Sequence, residues 1–301
     1  MKTLFRNAVL VNADGSRTGD VLVCDEKIER IDDHIDDPAA TVVDCTGLLL
    51  FPGAIDAHTH FDLDVANTTT ADDFRSGSRA ALRGGTTTVI DFACPNKGES
   101  LQYGLELWHK KADGRTACDY GFHMTLDDWN DSIRGEIPRM MAQGVTSFKM
   151  YLTYQAMMIG DGAVFQALRE LKRQRAIAGV HCENAGVIDA LIAEQKASGA
   201  LSPASHPLCR PDLAEAEAVG RLLKLAALAD TPVITVHTTC IAAMREIEPE
   251  KAAAKLRKVV EEKYRVLKDD PQCRLKLLKF ALQRGYEYDR VDPVVRELLA
   301  R

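Results

Sequence analysis

The segment Phe51-Pro52-Gly53-Ala54-Ile55-Asp56-Ala57-His58-Thr59-His60 sets two imidazoles two residues apart where a strand ends. A period of two points both rings to one side of a strand, so they can chelate one cation; the plain alternative is a pair of polar loop histidines. Ser147-Phe148-Lys149-Met150-Tyr151-Leu152 places a lysine inside an otherwise apolar strand. A charged ammonium is costly there, so the amine is paired, neutral or modified, or else it snorkels to the open end of the strand. Beside metals, a neutral amine can take up carbon dioxide as a carbamate whose two oxygens bridge two cations. His181 in Val180-His181-Cys182-Glu183-Asn184 and His237 in Val236-His237-Thr238 end two more apolar runs. Singly, each reads as a packed or loop histidine. Together, four of the eight histidines fall at the ends of three strands, while His34, His109, His123 and His206 share no such placement. That concentration points to a metal centre. Nitrogen and oxygen donors without thiolates suit Zn2+, Mn2+ or Co2+, and a bridging lysine implies two ions.

Such groups need strands that end on a common face. Residues 3–5, 8–11, 21–23, 27–31, 41–44 and 48–50 read as short strands, with a turn at Asp14-Gly15, and predict a small antiparallel β unit. From Pro52 onward, apolar β-branched runs at 54–57, 86–92, 119–125, 147–152, 177–182 and 232–236 alternate with helical patterns at 72–83, 101–112, 131–143, 162–175, 185–197 and 211–229. This alternation predicts an α/β fold, an incomplete (β/α)8 TIM-type barrel of six βα units whose chemistry sits at the C-terminal strand ends. A doubly wound sheet is the alternative, but no GxGxxG follows any strand; Gly84-Gly85 precedes one instead.

The composition supports a folded core: 301 residues, 46% hydrophobic, 27% charged, formal net charge −6. Disordered, collagen-like and membrane-spanning classes are thereby excluded. Eight dispersed cysteines without a CxxC suggest reduced thiols, and the N-terminus lacks the apolar run of a signal peptide, so a cytoplasmic protein is expected. The charge is unevenly spread. Residues 1–247 carry 24 basic and 34 acidic side chains, whereas 248–301 carry 14 and 10, with one glycine and three prolines. Three parts are therefore expected: a β unit at 1–50, the metal-binding barrel at 51–247 and a basic helical tail at 248–301. Within the tail, Leu256, Val259, Val260, Tyr264 and Leu267 have amphipathic spacing, residues 275–284 form a helix stopped by Gly285, and residues 286–299 supply a third.

FPGAIDAHTHFDLD, TADDFRSGSRAALRGGTTTVIDFACPNKGESL, SFKMYLTYQ, VHCENA and the stretch at 210–219 resemble the hydantoinases and dihydropyrimidinases, cyclic amidohydrolases of the amidohydrolase superfamily, over about residues 1–245. The resemblance implies that His58, His60, Lys149, His181 and His237 are metal ligands, with carbamylated Lys149 bridging two divalent ions, Zn2+ foremost. It assigns Tyr154 as the donor to a substrate oxyanion, and residues 62–70 and 153–161 as the segments that set substrate preference; Met157, Met158 and Ile159 would supply an apolar wall or part of the core. It also implies a small cyclic amide substrate, a hydantoin or dihydropyrimidine ring opened by hydrolysis at a C–N bond, and a homotetramer. The family's eighth strand carries a metal-binding aspartate that acts as general base. No strand-like run follows Cys240, and Asp269, Asp270, Asp289 and Asp292 lie in a helical tail that does not match that motif. An incomplete barrel exposes parallel strand edges, so impaired catalysis and poor solubility are expected. The tail resembles a three-helix repeat of RecX recombination regulators, or is a generic basic bundle. Its charge reads as a solvated face more than as a nucleic-acid surface. A non-catalytic assembly protein of the dihydropyrimidinase kind and an artefactual fusion are the remaining alternatives; the ligand set argues against the former.

Overall fold

The computed structural model describes residues 1–65, 68–268, 270–282 and 288–299. The chain divides into two compact units, Met1–Asp91 with Lys111–Gly121, and Phe92–Lys110 with Phe122–Arg301.

In the first unit, β1 (Lys2–Asn12) pairs antiparallel with β2 (Gly15–Cys24), and β2 with β3 (Lys27–Asp32). The sequence predicts an antiparallel unit throughout, but β4 (Thr41–Asp44) and β5 (Leu49–Leu50) run parallel to β1. The reason is the crossing after β3: Ile35 buries itself against Leu4 and Leu22, and the chain returns to the free edge of β1 in that strand's own direction. Register along β1 shifts between Phe5 and Ala8, where Asn7 adopts φ 61°. The buried Asp20 carboxylate holds this bulge, accepting the N–H of Asn7 at 2.7 Å and that of Ile35 at 2.9 Å. Burial alone pushes this carboxyl up. The two N–H groups, with His34 and Arg6 nearby, outweigh it and hold the group below the usual carboxylate range.

The same unit contains β6 (Ala54–Thr59), the short pair β7 (Asp64–Val65) and β8 (Thr68–Thr69), helix α1 (Phe74–Arg83) and most of β9 (Thr86–Ala93), which lies parallel to β6. Asp73 caps α1 by accepting the Ser76 N–H at 2.7 Å, which satisfies one of the helix's orphan donors. The Phe61 ring packs on Phe74 and over Gly77, where a Cβ would overlap it.

Beyond β9, the chain continues with α2 (Leu101–Ala112), β10 (Asp119–Thr125), α3 (Asp131–Ala142), β11 (Ser147–Tyr151), α4 (Asp161–Gln174), β12 (Ile177–His181), α5 (Ala185–Ala197), α6 (Asp212–Ala229) and β13 (Val233–Thr235). Strands β10 to β13 pair each with the next, all parallel. Phe148, Met150, Ala178 and Val180 are buried, as two-sided parallel strands require, and α4 buries Val164, Ala167, Leu168 and Leu171, the i, i+3, i+4, i+7 stripe of a surface helix. The six βα strands of the sequence reading are β6, β9, β10, β11, β12 and β13. The last is shorter than expected, with three residues.

After β13, the described elements are helices: α7 (Ile241–Leu267), α8 (Cys273–Leu282) and α9 (Tyr288–Leu299). Helix α7 runs unbroken through the composition change at 248. It packs on α6, where Glu246 approaches Gly220, and its later turns join Leu256 and Val260 to Leu277, Val291, Val295 and Leu298 in a separate apolar cluster. The expected stop at Gly285 lies outside the described residues, as do Asp269 and the side chain of Asp289.

Candidate active site

His58 and His60 bracket the end of β6, as the HxH spacing predicts. Their ring centroids are 5.2 Å apart, edge to face. The polypeptide between and after them is fixed by Asp91 on β9. This carboxylate, 0% exposed, accepts the Thr59 hydroxyl at 2.9 Å and the Phe61 N–H at 2.8 Å, both on Oδ2. Both histidines thus stand on a strand end that a buried acid ties to its neighbour.

The second unit carries Lys149, Tyr154, His181 and His237. Lys149 on β11 is 2% exposed, with Nζ 4.3 Å from the Phe92 ring centroid and 5.0 Å from that of Tyr151. Burial pushes its ammonium down to about 8, against smaller opposing effects of Cys94 and Asp127. The expected neutral amine is therefore accessible near neutral pH. Burial also pushes the Asp127 carboxyl up to about 7, tempered by Thr125, Lys97 and Lys149. Parallel register sets Lys149 opposite Gly179 and Tyr151 opposite His181, so Lys149, Tyr151 and His181 share one face of the sheet.

His181 ends β12 because Asn184 stops the strand and caps α5, accepting the Val187 N–H at 3.0 Å. His237 follows β13 in a turn at φ 39°. His181 Nδ1 and His237 Nε2 lie 3.0 Å apart. Two imidazoles on one tetrahedral ion, at roughly 2.0–2.1 Å each, would stand about 3.3 Å apart, so the two nitrogens are spaced for a shared cation. Burial, then His181 and Lys149, lower the basicity of His237, which keeps its nitrogen available as a ligand. Tyr154, in the loop after β11, sits at φ 65°, a costly conformation for an aromatic residue. Its ring is 5.2 Å from that of His181 and has the Arg210 guanidinium 5.4 Å above it. Burial, more than Arg210 opposes it, raises the Tyr154 hydroxyl above its ordinary range, so it remains a proton donor at neutral pH.

Three participants were given no role at the sequence level. Glu183 accepts His181 Nε2–H at 2.7 Å and Arg210 at 2.6 Å, and Asp91 steadies the HxH strand. The His-x-Glu spacing at the end of β12 is a local signal that could have found Glu183; Arg210 and Asp91 have none. Asp292 pairs with Arg274 and Arg296, and Asp270 with Lys276, so both acids are engaged within the tail. Among the described residues, no three His, Cys, Asp or Glu side chains gather as a cation site, and no helix is long and apolar enough to cross a membrane.

Comparisons with known proteins bear on the family and the fold. The chain is 40% identical over 249 residues to a D-hydantoinase of Geobacillus stearothermophilus, covering 82% of this chain and 53% of that protein. It is 36% identical over 263 residues to a dihydropyrimidinase of Rattus norvegicus, covering 85% and 50%. Among solved structures, the dihydropyrimidinase of Brevibacillus agri NCHU1002 matches with a TM-score of 0.82 at 39% identity, over 84% of this chain and 56% of that one. The chain thus spans about half the length of the curated relatives it matches. Its fold class is that of a partial (β/α)8 barrel with an N-terminal sheet. The Amidohydrolase family profile matches residues 49–264, ending inside α7, and with more than half of its residues so matched the chain belongs to the amidohydrolase family.

Proposed function

We propose that this chain is built for metal-dependent hydrolysis of a cyclic amide, a hydantoin or dihydropyrimidine ring opened at a C–N bond. The observation that carries the reading is Lys149: a lysine buried on a parallel strand, with lowered basicity and on the same face as His181, is the residue a bridging carbamate needs. The ligand set implied by resemblance is His58, His60, Lys149, His181 and His237, holding two divalent ions, zinc foremost, with manganese and cobalt also suited to the donors. What supports that set is the 3.0 Å approach of His181 Nδ1 to His237 Nε2, together with two histidines at the end of β6. Bound there, the ions would polarise the amide carbonyl and lower the pKa of water.

The protein's own groups do the rest. Lys149 is neutral often enough near pH 8 to capture carbon dioxide. His181 and His237 offer converging lone pairs. Tyr154, held protonated, donates to the oxygen that gains charge as the ring opens. Asp270 and Asp292 are bound to tail cations, so neither is proposed as the general base.

The test is metal analysis of the intact chain and of Lys149→Ala, joined to hydrolysis assays with dihydrouracil and a 5-substituted hydantoin. A carbamate carbon signal in 13C NMR after growth on labelled bicarbonate completes the test. Two metals per chain, a carbamate signal and lysine-dependent turnover are expected; a chain that binds no divalent ion refutes the reading.

A further inference from the structure

We propose that Glu183 and Arg210 form a positioning pair that sets the proton on His181 and the seat of Tyr154. The inference deepens the metal-dependent reading above and rests on it for its functional meaning, although its geometry stands alone. A carboxylate is an acceptor only, so the 2.7 Å contact from His181 Nε2 to Glu183 places the ring proton on Nε2. The Nδ1 lone pair is then left facing His237 Nε2, 3.0 Å away. An imidazole so oriented by a carboxylate is a stronger and better-aimed ligand.

Arg210 makes the arrangement one-sided. Its guanidinium has donors only, and it donates at 2.6 Å to Glu183 Oε2, the same oxygen that receives His181. That cation also lies 5.4 Å over the ring of Tyr154, whose positive φ places the side chain beside His181. The side chains of His181, Glu183 and Arg210 are each less than a fifth exposed, so the network is shielded from competing water. One oxygen therefore links a candidate ligand to a candidate oxyanion donor, across residues 27 positions apart in sequence.

Convergence on a single oxygen yields a discriminating test. In Glu183→Gln, Arg210 repels the amide NH2 and draws the carbonyl oxygen into the place of Oε2, so both donors keep their acceptor. Glu183→Ala removes the acceptor. In Glu183→Gln with Arg210→Met, the amide is free to turn and donate to Nε2. The tautomer of His181 is read from its 15N shifts in the metal-free chain, with the signal identified by its loss in His181→Gln. We expect the Nε2–H form in the wild type and in Glu183→Gln, a mixture in Glu183→Ala, and a gain of the Nδ1–H form in the double variant.

A second arm titrates Zn2+ against a chelator: Glu183→Ala should lose about 10–100-fold in affinity and Glu183→Gln less than about threefold. A His181 tautomer unchanged in Glu183→Ala and in the double variant overturns the proposal, as does wild-type Zn2+ affinity in Glu183→Ala. Failure of the wild type to bind zinc overturns the functional reading instead, and the tautomer arm still judges the pair.

Discussion

Removing the Asp91 carboxylate tests how the HxH strand end is held. Asp91 is fully buried and takes two donors on Oδ2, the Thr59 hydroxyl at 2.9 Å and the Phe61 N–H at 2.8 Å. A hydrogen bond to a charged group contributes roughly 1.5–3 kcal/mol, so losing two removes about 3–6 kcal/mol. Part of this is offset, because a buried carboxylate is itself costly to desolvate. The expected net loss for Asp91→Ala is about 2–4 kcal/mol. Asp91→Asn separates hydrogen bonding from charge: its carbonyl oxygen can receive both donors, and its cost should be nearer ~1 kcal/mol. Urea denaturation followed by far-UV circular dichroism gives both values from midpoints at constant slope. Thr59 and Phe61 flank His60, so Asp91→Ala should also reduce the metal retained after dialysis. If Asp91→Ala unfolds within about 0.5 kcal/mol of the wild type, or Asp91→Asn proves as costly as Asp91→Ala, the two hydrogen bonds are not what fixes this strand end.

Two further outcomes follow from the first unit. The folded state holds the Asp20 carboxyl below its unfolded value, so its stabilisation is complete above about pH 4 and is lost as the pH falls through the folded value. Urea midpoints between pH 7 and pH 3 should therefore decline less in Asp20→Asn than in the wild type, and equal slopes would contradict this. Gly77→Ala should destabilise despite alanine's advantage of about 1 kcal/mol in a helix, because its methyl meets the Phe61 ring; the expected net cost is about 1–2 kcal/mol in thermal unfolding, and a stabilised variant would show that the ring yields freely.

The parts of the fold readable from sequence are those encoded by neighbours in the chain. The run Thr86–Ala93 and the apolar residues around Lys149 announce strands by composition, and a lone charge in such a run marks itself. The parallel return of β4 and β5 is set by Ile35 crossing to Leu4 and Leu22, which no local period encodes. Helix α7 begins at Ile241, well ahead of the amphipathic residues 256–267 that the sequence marks, and its early turns pack on α6. Of the candidate site, His58, His60, His181 and His237 stand out in the sequence because they fall at strand ends, and Lys149 because it is a lone charge in an apolar run. Asp91 and Arg210 do not, since each acts on residues roughly thirty positions away through contacts that only the folded chain creates.

Helix α7 has a mechanical consequence. Its backbone is helical from four residues past His237 to the residues of the tail cluster, but Pro249, which has no N–H, leaves one rung out of its hydrogen-bond ladder at the composition boundary. A missing rung is where such a ladder opens most easily, so the turns before and after Pro249 fray separately. A substitution that loosens Val291 or Val295 is therefore felt in the turns of α7 that follow Pro249, while the turns nearer His237 keep their own hold on α6.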